Sequence, residues 1–298
     1  MNDSFYKSFE DTHRGSRESI AKRLEVYLPF ILPFKSIEEV PLCLDLGCGR
    51  GEWLELVTSH GFKAKGIDMD ANMLSECQKR SLDVLCADAI AALDDVKDAS
   101  VSILSAFHLI EHIPFEQLTK LVQSSMRVLK EGGLLILETP NPENIIVSTV
   151  DFYIDPTHSK PLPPMLLEFL VQLCGFSKQK TLRLHGSNAL LNDSNQISLM
   201  DVLGGVSPNY AIVAQKHASE DVLELCNEPF TKEYGTTLTR LALRYDEKYA
   251  AKFHEQDRQL SNILARIHHL EITLDAIFKS KSWRYTAWLR KLSSLLKS

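Results

Sequence analysis

The chain has 298 residues, enough to bury a hydrophobic core, and with 44% hydrophobic and 24% charged residues it has the composition of a globular protein. Its formal net charge of −6 argues against a general nucleic-acid-binding protein, because such proteins present a basic surface. The six cysteines form no CxxC pair, and their spacing suits neither a zinc site nor a disulfide framework, which favours a reducing, cytoplasmic compartment.

The first two thirds of the chain alternate between helical and strand patterns. Apolar residues at helical spacing predict a helix over 16–31, which Pro33 ends. Five strands are predicted over 42–46, 63–67, 83–87, 101–107 and 134–137, with helices over 52–60, 72–80 and 115–129. A proline-rich loop over 151–164 is followed by a helix over 165–174 and by strands over 181–184 and 210–214. This alternation implies right-handed crossovers and a mainly parallel, seven-stranded sheet.

A glycine-rich loop follows the first predicted strand. The segment 45–51 reads Asp-Leu-Gly-Cys-Gly-Arg-Gly, with Asp45 near the end of the strand and Gly47, Cys48, Gly49 and Gly51 in the loop. Glycines let a ligand approach the backbone closely, and the loop presents amide donors at a helix start. The spacing differs from the GxGxxG dinucleotide fingerprint, and no P-loop lysine follows.

Carboxylates also end the second and third predicted strands, at Asp68 and Asp88. The carboxyl ends of parallel strands meet at one edge of the sheet, where ligands bind in such folds. Asp68 is placed to accept hydrogen bonds from ribose hydroxyls, and Asp88 to bind an adenine amino group. The alternative for each is a solvated helix cap.

Taken together, these segments resemble the class I S-adenosylmethionine-dependent methyltransferases, which have a Rossmann-like α/β fold. The segment 108–113, His-Leu-Ile-Glu-His-Ile, is similar to the family's Glu-His element, and 129–133, Leu-Lys-Glu-Gly-Gly, to the turn before its fifth strand, with Glu131 in place of proline. The resemblance implies S-adenosylmethionine as cofactor. It implies a binding site made of Asp45, Gly47, Cys48, Gly49, Gly51, Asp68, Met69, Asp88, Ala89 and Phe107. Glu111 and His112 are interpreted as ordering the loop after strand four rather than as catalytic groups.

Two less common segments resemble a narrower group, the methyltransferases encoded among bacterial surface-polysaccharide genes. They are 9–18, Phe-Glu-Asp-Thr-His-Arg-Gly-Ser-Arg-Glu, and 155–158, Asp-Pro-Thr-His, and they carry the resemblance together with 48–53, Cys-Gly-Arg-Gly-Glu-Trp. Some members of that group methylate the non-reducing end of an O-antigen chain and so stop its elongation. The resemblance implies that the N-terminal segment covers the cofactor and that Arg14 pairs with its carboxylate, since a guanidinium fork suits that geometry. A solvated Arg14 is the alternative.

Transfer of a methyl group to a sugar hydroxyl is assisted by a general base. His158 is the first candidate, because imidazole titrates near neutral pH and Asp155 lies three residues upstream to orient it. His108, at the end of strand four, is the second, and both histidines alternatively only shape the pocket. A phosphate acceptor would need no base and would give Lys160 a role. No three-ligand metal pattern occurs in this region, so we expect no metal.

The sequence therefore predicts an O-methyltransferase that acts on a bacterial polysaccharide end, with a glycan or lipid-linked glycan as acceptor. A small-molecule O-methyltransferase of the quinone type is one alternative, because it shares the Glu-His element. A non-catalytic adaptor with a methyltransferase fold is another, although the intact glycine loop and Asp68 argue against it. We divide the chain into a methyltransferase domain (1–217), a helical linker (218–252), a coiled coil (253–279) and a basic tail helix (280–298).

The coiled coil is predicted from a seam of apolar residues, which from Leu260 recur in steps of three and four: Phe253, Leu260, Ile263, Ile267, Leu270, Leu274 and Ile277. It predicts a homo-oligomer, and the alternative is an amphipathic helix packed on its own domain.

The tail is basic. Residues 279–298 hold six basic residues and no acidic one, which leaves −12 on the rest of the chain. In one continuous helix, a single arc would hold Tyr285, Trp288, Leu289, Leu292, Leu295 and Leu296. Such a helix suits an anionic membrane surface or a glycan-assembly protein. With neither a signal region nor an 18-residue apolar run, we expect a cytoplasmic protein at the inner face of the inner membrane.

Overall fold

The computed structural model describes residues 15–295, with side chains as far as Ser293. The chain divides into two compact units, one ending at Ala242 and the other beginning at Leu243.

The first unit is built on one seven-stranded sheet, in the order β3-β2-β1-β4-β5-β7-β6. Strands β1 to β5 are parallel, and β7 runs antiparallel to both β5 and β6. The strands are β1 Leu42–Leu46, β2 Lys63–Asp68, β3 Val84–Cys86, β4 Val101–Phe107, β5 Leu129–Pro140, β6 Lys178–Leu184 and β7 Asn209–Gln215. The predicted fold, a mainly parallel Rossmann-like sheet, is confirmed.

Helices connect these strands and cover the sheet. In the first unit they are α1 Arg17–Leu24, α2 Leu28–Ile31, α3 Glu52–Ser59, α4 Ala71–Lys79, α5 Ala89–Asp94, α6 Phe115–Val128, α7 Ile145–Thr149, α8 Pro164–Leu173, α9 Asn188–Leu191, α10 Leu199–Gly204, α11 Glu220–Leu225 and α12 Asn227–Thr231. Short 3-10 helices lie at Glu25–Tyr27, Leu32–Ser36 and Asp151–Ile154. The helix predicted over 16–31 is thus divided, because Pro29 and Pro33 lack the amide donors that a continuous helix needs.

The sheet is buried on both faces, as parallel sheets are. Alternate residues of one strand enter different hydrophobic clusters, so that Leu44 packs on one face and Cys43 on the other. Side chains from α5, α6 and α8 belong to the first cluster, and side chains from α1, α2 and α3 to the second. The carboxyl ends of the strands remain available to form a ligand site.

The first unit extends beyond the predicted domain end at residue 217. Cys226 and Phe230 are buried in the second cluster, and the Phe30 and Phe230 rings lie 5.2 Å apart between centroids. Leu241 is fully buried. Residues 218–241 therefore complete this core rather than link two bodies.

The second unit consists of helices. The long helix α13, Leu238–Lys279, begins in the first unit and is followed by α14 Lys281–Tyr285 and α15 Ala287–Leu295. The predicted single tail helix is therefore interrupted at Thr286, the C-cap of α14, and Arg290 lies over the Trp283 ring at 3.7 Å. Within residues 15–295 no helix combines the length and apolarity needed to cross a membrane.

Candidate active site

A cavity of about 1220 Å³ opens at the carboxyl ends of β1, β2 and β4. Strand order reverses between β1 and β4, and ligands of doubly wound sheets bind at such a switch point. A pocket for one small ligand is typically ~300–1,000 Å³, and this cavity is larger than that range. Among the predicted site residues, its lining contains Asp45, Gly47, Cys48, Gly49, Asp68, Met69, Asp88, Ala89, Phe107, His108 and His158.

The glycine loop offers bare backbone to the cavity rather than free amides. The amides of Gly47 and Cys48 donate to the Ile67 carbonyl, at 2.8 and 3.1 Å. The Gly49 amide donates to Asp68 Oδ2 at 2.8 Å. These amides therefore hold the loop on β2, and the prediction that they are presented to a ligand is not supported by the geometry. What the loop supplies is access, because Gly47 and Gly49 have φ of 68° and 52° and no side chain.

Gly51 belongs to the scaffold and not to the cavity lining. It is the N-cap of α3 with φ 80°, and a Cβ there would lie 2.6 Å from Leu82 Cδ1 and 2.9 Å from Cys77 Sγ. Its role is to let α3 pack closely against its neighbours, so we remove it from the predicted cofactor contacts.

The strand-end carboxylates line the cavity while also holding their own loops. Asp68 accepts hydrogen bonds from the amides of Gly49 and Asp70, and Asp88 caps α5 by accepting from Ile90 and Ala91. A carboxylate has about four acceptor positions, so each keeps capacity for a ligand donor. The helix-cap alternative and the ligand-binding hypothesis are therefore compatible.

Deeper in the site, Asp45 is 2% exposed and accepts a hydrogen bond from Ser105 Oγ at 2.6 Å. Met69, by contrast, is 69% exposed, which leaves an apolar side chain free to lie against a flat ligand. Phe107 packs edge-on against Trp53, with ring centroids 5.3 Å apart. The lining thus joins an acidic floor to apolar walls.

The N-terminal helix α1 forms one side of the cavity through Ile20, Arg23 and Leu24. It is fastened to the glycine-loop region, because Arg17 Nη1 donates to the Arg50 carbonyl at 2.7 Å and Arg17 Nη2 to Glu55 Oε2 at 2.5 Å. Arg14 lies outside the described residues. Arg23 is a cation on this wall that sequence reasoning missed.

His108 is held between two buried carboxylates. Its Nδ1 lies 3.0 Å from Glu111 Oε1 and its Nε2 3.5 Å from Glu138 Oε1. Burial lowers the pKa of His108, but the hydrogen bonds to Glu111 and Glu138 outweigh it and raise the pKa to about 10. Because 44% of the side chain is exposed, desolvation is limited and the two carboxylates dominate. His108 is then a cation at neutral pH, so we reject it as a general base.

A buried network around Glu138 was not predicted. Glu138 Oε2 accepts from the Tyr27 hydroxyl and Oε1 lies 3.2 Å from His185 Nε2. Burial raises the pKa of Glu138, but hydrogen bonds from His108 and His185 lower it by more. The net result is a pKa below the ordinary range of a carboxyl group. The sequence signal for this network is a glutamate within the apolar run of β5, because a buried carboxylate needs hydrogen-bond or charged partners.

At the other end of the cavity, His158 stands in the loop predicted to hold it. Its Nδ1 lies 2.6 Å from the Phe152 carbonyl oxygen. A carbonyl only accepts, so Nδ1 carries the proton and Nε2 has a lone pair in the neutral ring. Asp155 Oδ2 lies 3.9 Å from Nε2, too far for a hydrogen bond. The prediction that Asp155 orients His158 is therefore wrong, and the Phe152 carbonyl orients the ring instead.

His112 lies beside His158, with ring centroids 4.7 Å apart. The Thr157 hydroxyl donates to Asp155 Oδ1 at 2.6 Å and lies 2.8 Å from His112 Nδ1. Lys160, the predicted cation for a phosphate acceptor, lies over the Phe115 ring at 5.0 Å and outside the cavity lining.

The residues present fit a cationic adenosyl cofactor. Among the described lining residues, eight carboxylates accompany a single arginine: Asp45, Glu52, Asp68, Asp70, Asp88, Glu138, Asp151 and Asp155. Such a lining favours a ligand that carries an ammonium and a sulfonium charge. It suits the hydroxyls of a ribose equally, because carboxylates accept from them.

This sheet order, with a glycine loop after β1 and carboxylates after β2 and β3, defines a class I methyltransferase. A family profile described as "Methyltransferase domain" matches residues 44–137. The chain is also similar to a solved SAM-dependent methyltransferase from Archaeoglobus fulgidus. The two are 31% identical, with a TM-score of 0.62, over 71% of this chain and all of the other. The chain belongs to the S-adenosylmethionine-dependent methyltransferases, and its cofactor is S-adenosylmethionine.

Two further relatives match only part of this chain and part of their own length. A Mycolicibacterium smegmatis protein named "Probable S-adenosylmethionine-dependent methyltransferase" is 29% identical over 145 residues, 48% of this chain and 55% of the relative. A ubiquinone biosynthesis O-methyltransferase of Coxiella burnetii is 28% identical over 104 residues, 33% of this chain and 43% of the relative. The chain thus spans about half the length of these relatives.

Proposed function

We propose that the protein methylates a hydroxyl oxygen at the end of a bacterial surface polysaccharide of the O-antigen type. Support comes from the segment 155–158, which carries the resemblance to polysaccharide methyltransferases: Asp155, Thr157 and His158 all line the cavity. The observation that carries the proposal is the free Nε2 of His158 in a cavity large enough for a cofactor and an acceptor.

The protein's own residues would bind the cofactor and orient the base. S-adenosylmethionine supplies an electrophilic methyl group when bound. Asp68, Asp88 and the glycine loop would hold it at the ends of β1 to β3. The Phe152 carbonyl fixes the His158 ring so that Nε2 can accept the proton of a sugar hydroxyl. Leu109, Ile113 and Ile154 line the same cavity and give it apolar surface at this end.

A quinone-type phenol is the second candidate acceptor, favoured by the named activity of the Coxiella relative. A phenol ionises far more readily than a sugar hydroxyl, so it depends less on a strong base. It would leave the C-terminal unit without a role.

The acceptor class is tested by methyl transfer from labelled S-adenosylmethionine onto a panel of short bacterial glycans and a panel of polyprenyl phenols, read by mass spectrometry. We expect a single added methyl group on a terminal sugar of one glycan series. Methylation of the phenols alone would contradict the polysaccharide proposal and support the quinone alternative.

We also propose where the reaction takes place. The seven seam residues of α13 are between 42% and 62% exposed, which leaves a continuous apolar face that a second or third copy of this chain can cover. In α15, Trp288, Leu289 and Leu292 are exposed and share one face, next to Arg290 and Lys291. This pattern suits an anionic membrane surface on which lipid-linked glycans are assembled.

A further inference from the structure

Three metal-ligating side chains lie close together where the acceptor end of the cavity meets the buried Glu111. One oxygen of Glu111 and one nitrogen each of His112 and His158 lie within 4.8 Å of one another. Atoms that share one zinc ion at ~2.0–2.2 Å lie somewhat closer together than this, so the three side chains would draw together on binding an ion.

The two histidines already have the tautomer that a metal site needs. The Thr157 hydroxyl gives its hydrogen to Asp155, so His112 Nδ1 must be the donor in its 2.8 Å contact with Thr157. His158 Nδ1 likewise donates to the Phe152 carbonyl. Both Nε2 atoms are left with lone pairs. Metal-binding histidines are held in this way, with the second ring nitrogen donating to an oxygen.

Glu111 is also oriented by its neighbours. It is 1% exposed and accepts from Thr139 Oγ1 at 2.9 Å and from His108 Nδ1 at 3.0 Å. Each carboxylate oxygen has a second lone pair, so these bonds leave capacity for an ion. All three ligand side chains are therefore fixed by partners outside the cluster, which a chance grouping of polar residues does not require.

We propose that Glu111, His112 and His158 bind a divalent transition metal of the zinc type. Two histidines and one carboxylate form a ligand set of catalytic zinc, in which the fourth position is open to substrate. Both histidines line the cavity, so the open position faces it. The expectation of no metal is thereby revised, because the third ligand comes from a loop distant in sequence and no local pattern announces it.

The role of the ion rests on the proposed function. Bound to the open position, an acceptor hydroxyl becomes more acidic. Its O–H bond would break, the proton would pass to Asp155, whose Oδ2 lies 3.9 Å from His158 Nε2, and the electron pair left on the oxygen would form the new bond to the methyl carbon. In the metal-bound protein the ion therefore replaces His158 Nε2 as the activating group.

Cobalt(II) is the direct probe, because it reports its ligands by visible absorption and substitutes for zinc. The full chain, stripped with chelator and dialysed, is titrated with Co²⁺. We expect one equivalent to give the absorption of a nitrogen- and oxygen-ligated site, which Zn²⁺ then abolishes. The variants Glu111→Gln, His112→Ala and His158→Ala are expected to lose it, and the control His254→Ala, on the exposed surface of α13, to retain it.

Thr157→Val serves as a variant that leaves all three ligands in place. Loss of an oxygen partner to a ligating histidine typically weakens metal binding ~10–100-fold, and we expect Co²⁺ affinity to fall within that range. Zn²⁺ should also raise the unfolding temperature of the wild type and not of His158→Ala, which separates loss of binding from loss of folding. No absorption in the wild type, or absorption unchanged in the three ligand variants, would overturn the site.

The metal site and the acceptor class fail separately. Glycan methylation that proceeds in chelator, without Co²⁺ binding, would reject the metal and keep the acceptor. Co²⁺ binding without methylation of any glycan would keep the metal site and reject the acceptor.

Discussion

His108 shows how two carboxylates change the chemistry of one imidazole. The ring lies between Glu111 and Glu138 and follows β4 with a left-handed φ of 53°. Such a backbone conformation is costly for a residue other than glycine and is found where the surroundings enforce it. Here it accompanies a ring whose two nitrogens both face acids, so His108 stabilises charge rather than accepting protons.

This arrangement predicts a pH dependence of stability. The pKa of His108 is raised from an ordinary 6.5 to about 10, because its hydrogen bonds to Glu111 and Glu138 outweigh burial. A raised pKa in the folded state contributes stability that is complete below pH 6.5 and is lost as pH rises towards 10. We expect the free energy of unfolding of metal-free wild type to exceed that of His108→Gln at pH 6, and the difference to shrink as pH increases.

The measurement is urea denaturation of both proteins at several pH values in chelator. Taking the difference between them removes the titration of groups that His108 does not contact, and leaves that of His108 together with Glu111 and Glu138, whose pKa values His108 lowers. A difference that stays constant from pH 6 to pH 10 would show that His108 is not charged in the folded protein.

The position of a site residue could be predicted from the sequence where the end of its own strand places it. Asp45, Asp68 and Asp88 were found because a parallel sheet brings strand ends together. Glu138, Tyr27 and His185 were not, since their contacts join segments far apart in the chain. The pairing of His112 with His158 is of the same kind and needs the three-dimensional structure.

At the scale of elements, short apolar runs with clear ends were placed to the residue, as in β1 and β4. β5 extends to Leu129–Pro140, since Lys130 to Gly133 continue the strand across an irregularity opposite Val101 and Ile103. α5 was missed, because six residues are too few for a helical period to show.

The loop between β1 and α3 gives a prediction about packing. Gly51→Ala places a Cβ 2.6 Å from Leu82 Cδ1 at φ 80°, whereas Gly61→Ala at φ 85° meets only the flexible Lys35 side chain at 3.0 Å. Both substitutions destabilise the fold through the backbone strain of a left-handed alanine. Gly51→Ala also overpacks its surroundings, which lowers the free energy of unfolding by ~1–3 kcal/mol more. Chemical denaturation should show the larger loss for Gly51→Ala. Equal losses at the two positions would contradict close packing at Gly51.

For the whole molecule, the exposed seam of α13 predicts self-association. Ile263→Glu with Ile267→Glu and Leu270→Glu places charges on the seam, and Ala265→Glu places one on the opposite side of the helix. We expect light scattering to give a dimer or larger oligomer for the wild type and the Ala265→Glu control, and a monomer for the triple variant. A monomeric wild type would remove the coiled-coil proposal.

The basic tail predicts membrane association. Deleting 282–298 should reduce sedimentation with anionic liposomes while methyl transfer to a soluble acceptor is kept, because the tail lies in the second unit and the cavity is lined by the first. Added salt should weaken binding of the wild type in the same way. Undiminished liposome binding by the truncated protein would exclude the tail as the contact.

The methyl-transfer activity depends on a cofactor site at the carboxyl ends of β1, β2 and β3. Calorimetric titration of wild type and Asp68→Ala with S-adenosylmethionine tests it most directly, with Asp94→Ala, on the surface of α5, as the control. Asp68 holds the glycine loop through Gly49 and faces the cavity, so its loss should weaken binding about 10–150-fold, equivalent to a charged hydrogen bond of ~1.5–3 kcal/mol. Stoichiometric binding by the wild type and the control, with this loss in Asp68→Ala, is the predicted result. Equal affinity in all three proteins, or no binding by the wild type, would contradict the account.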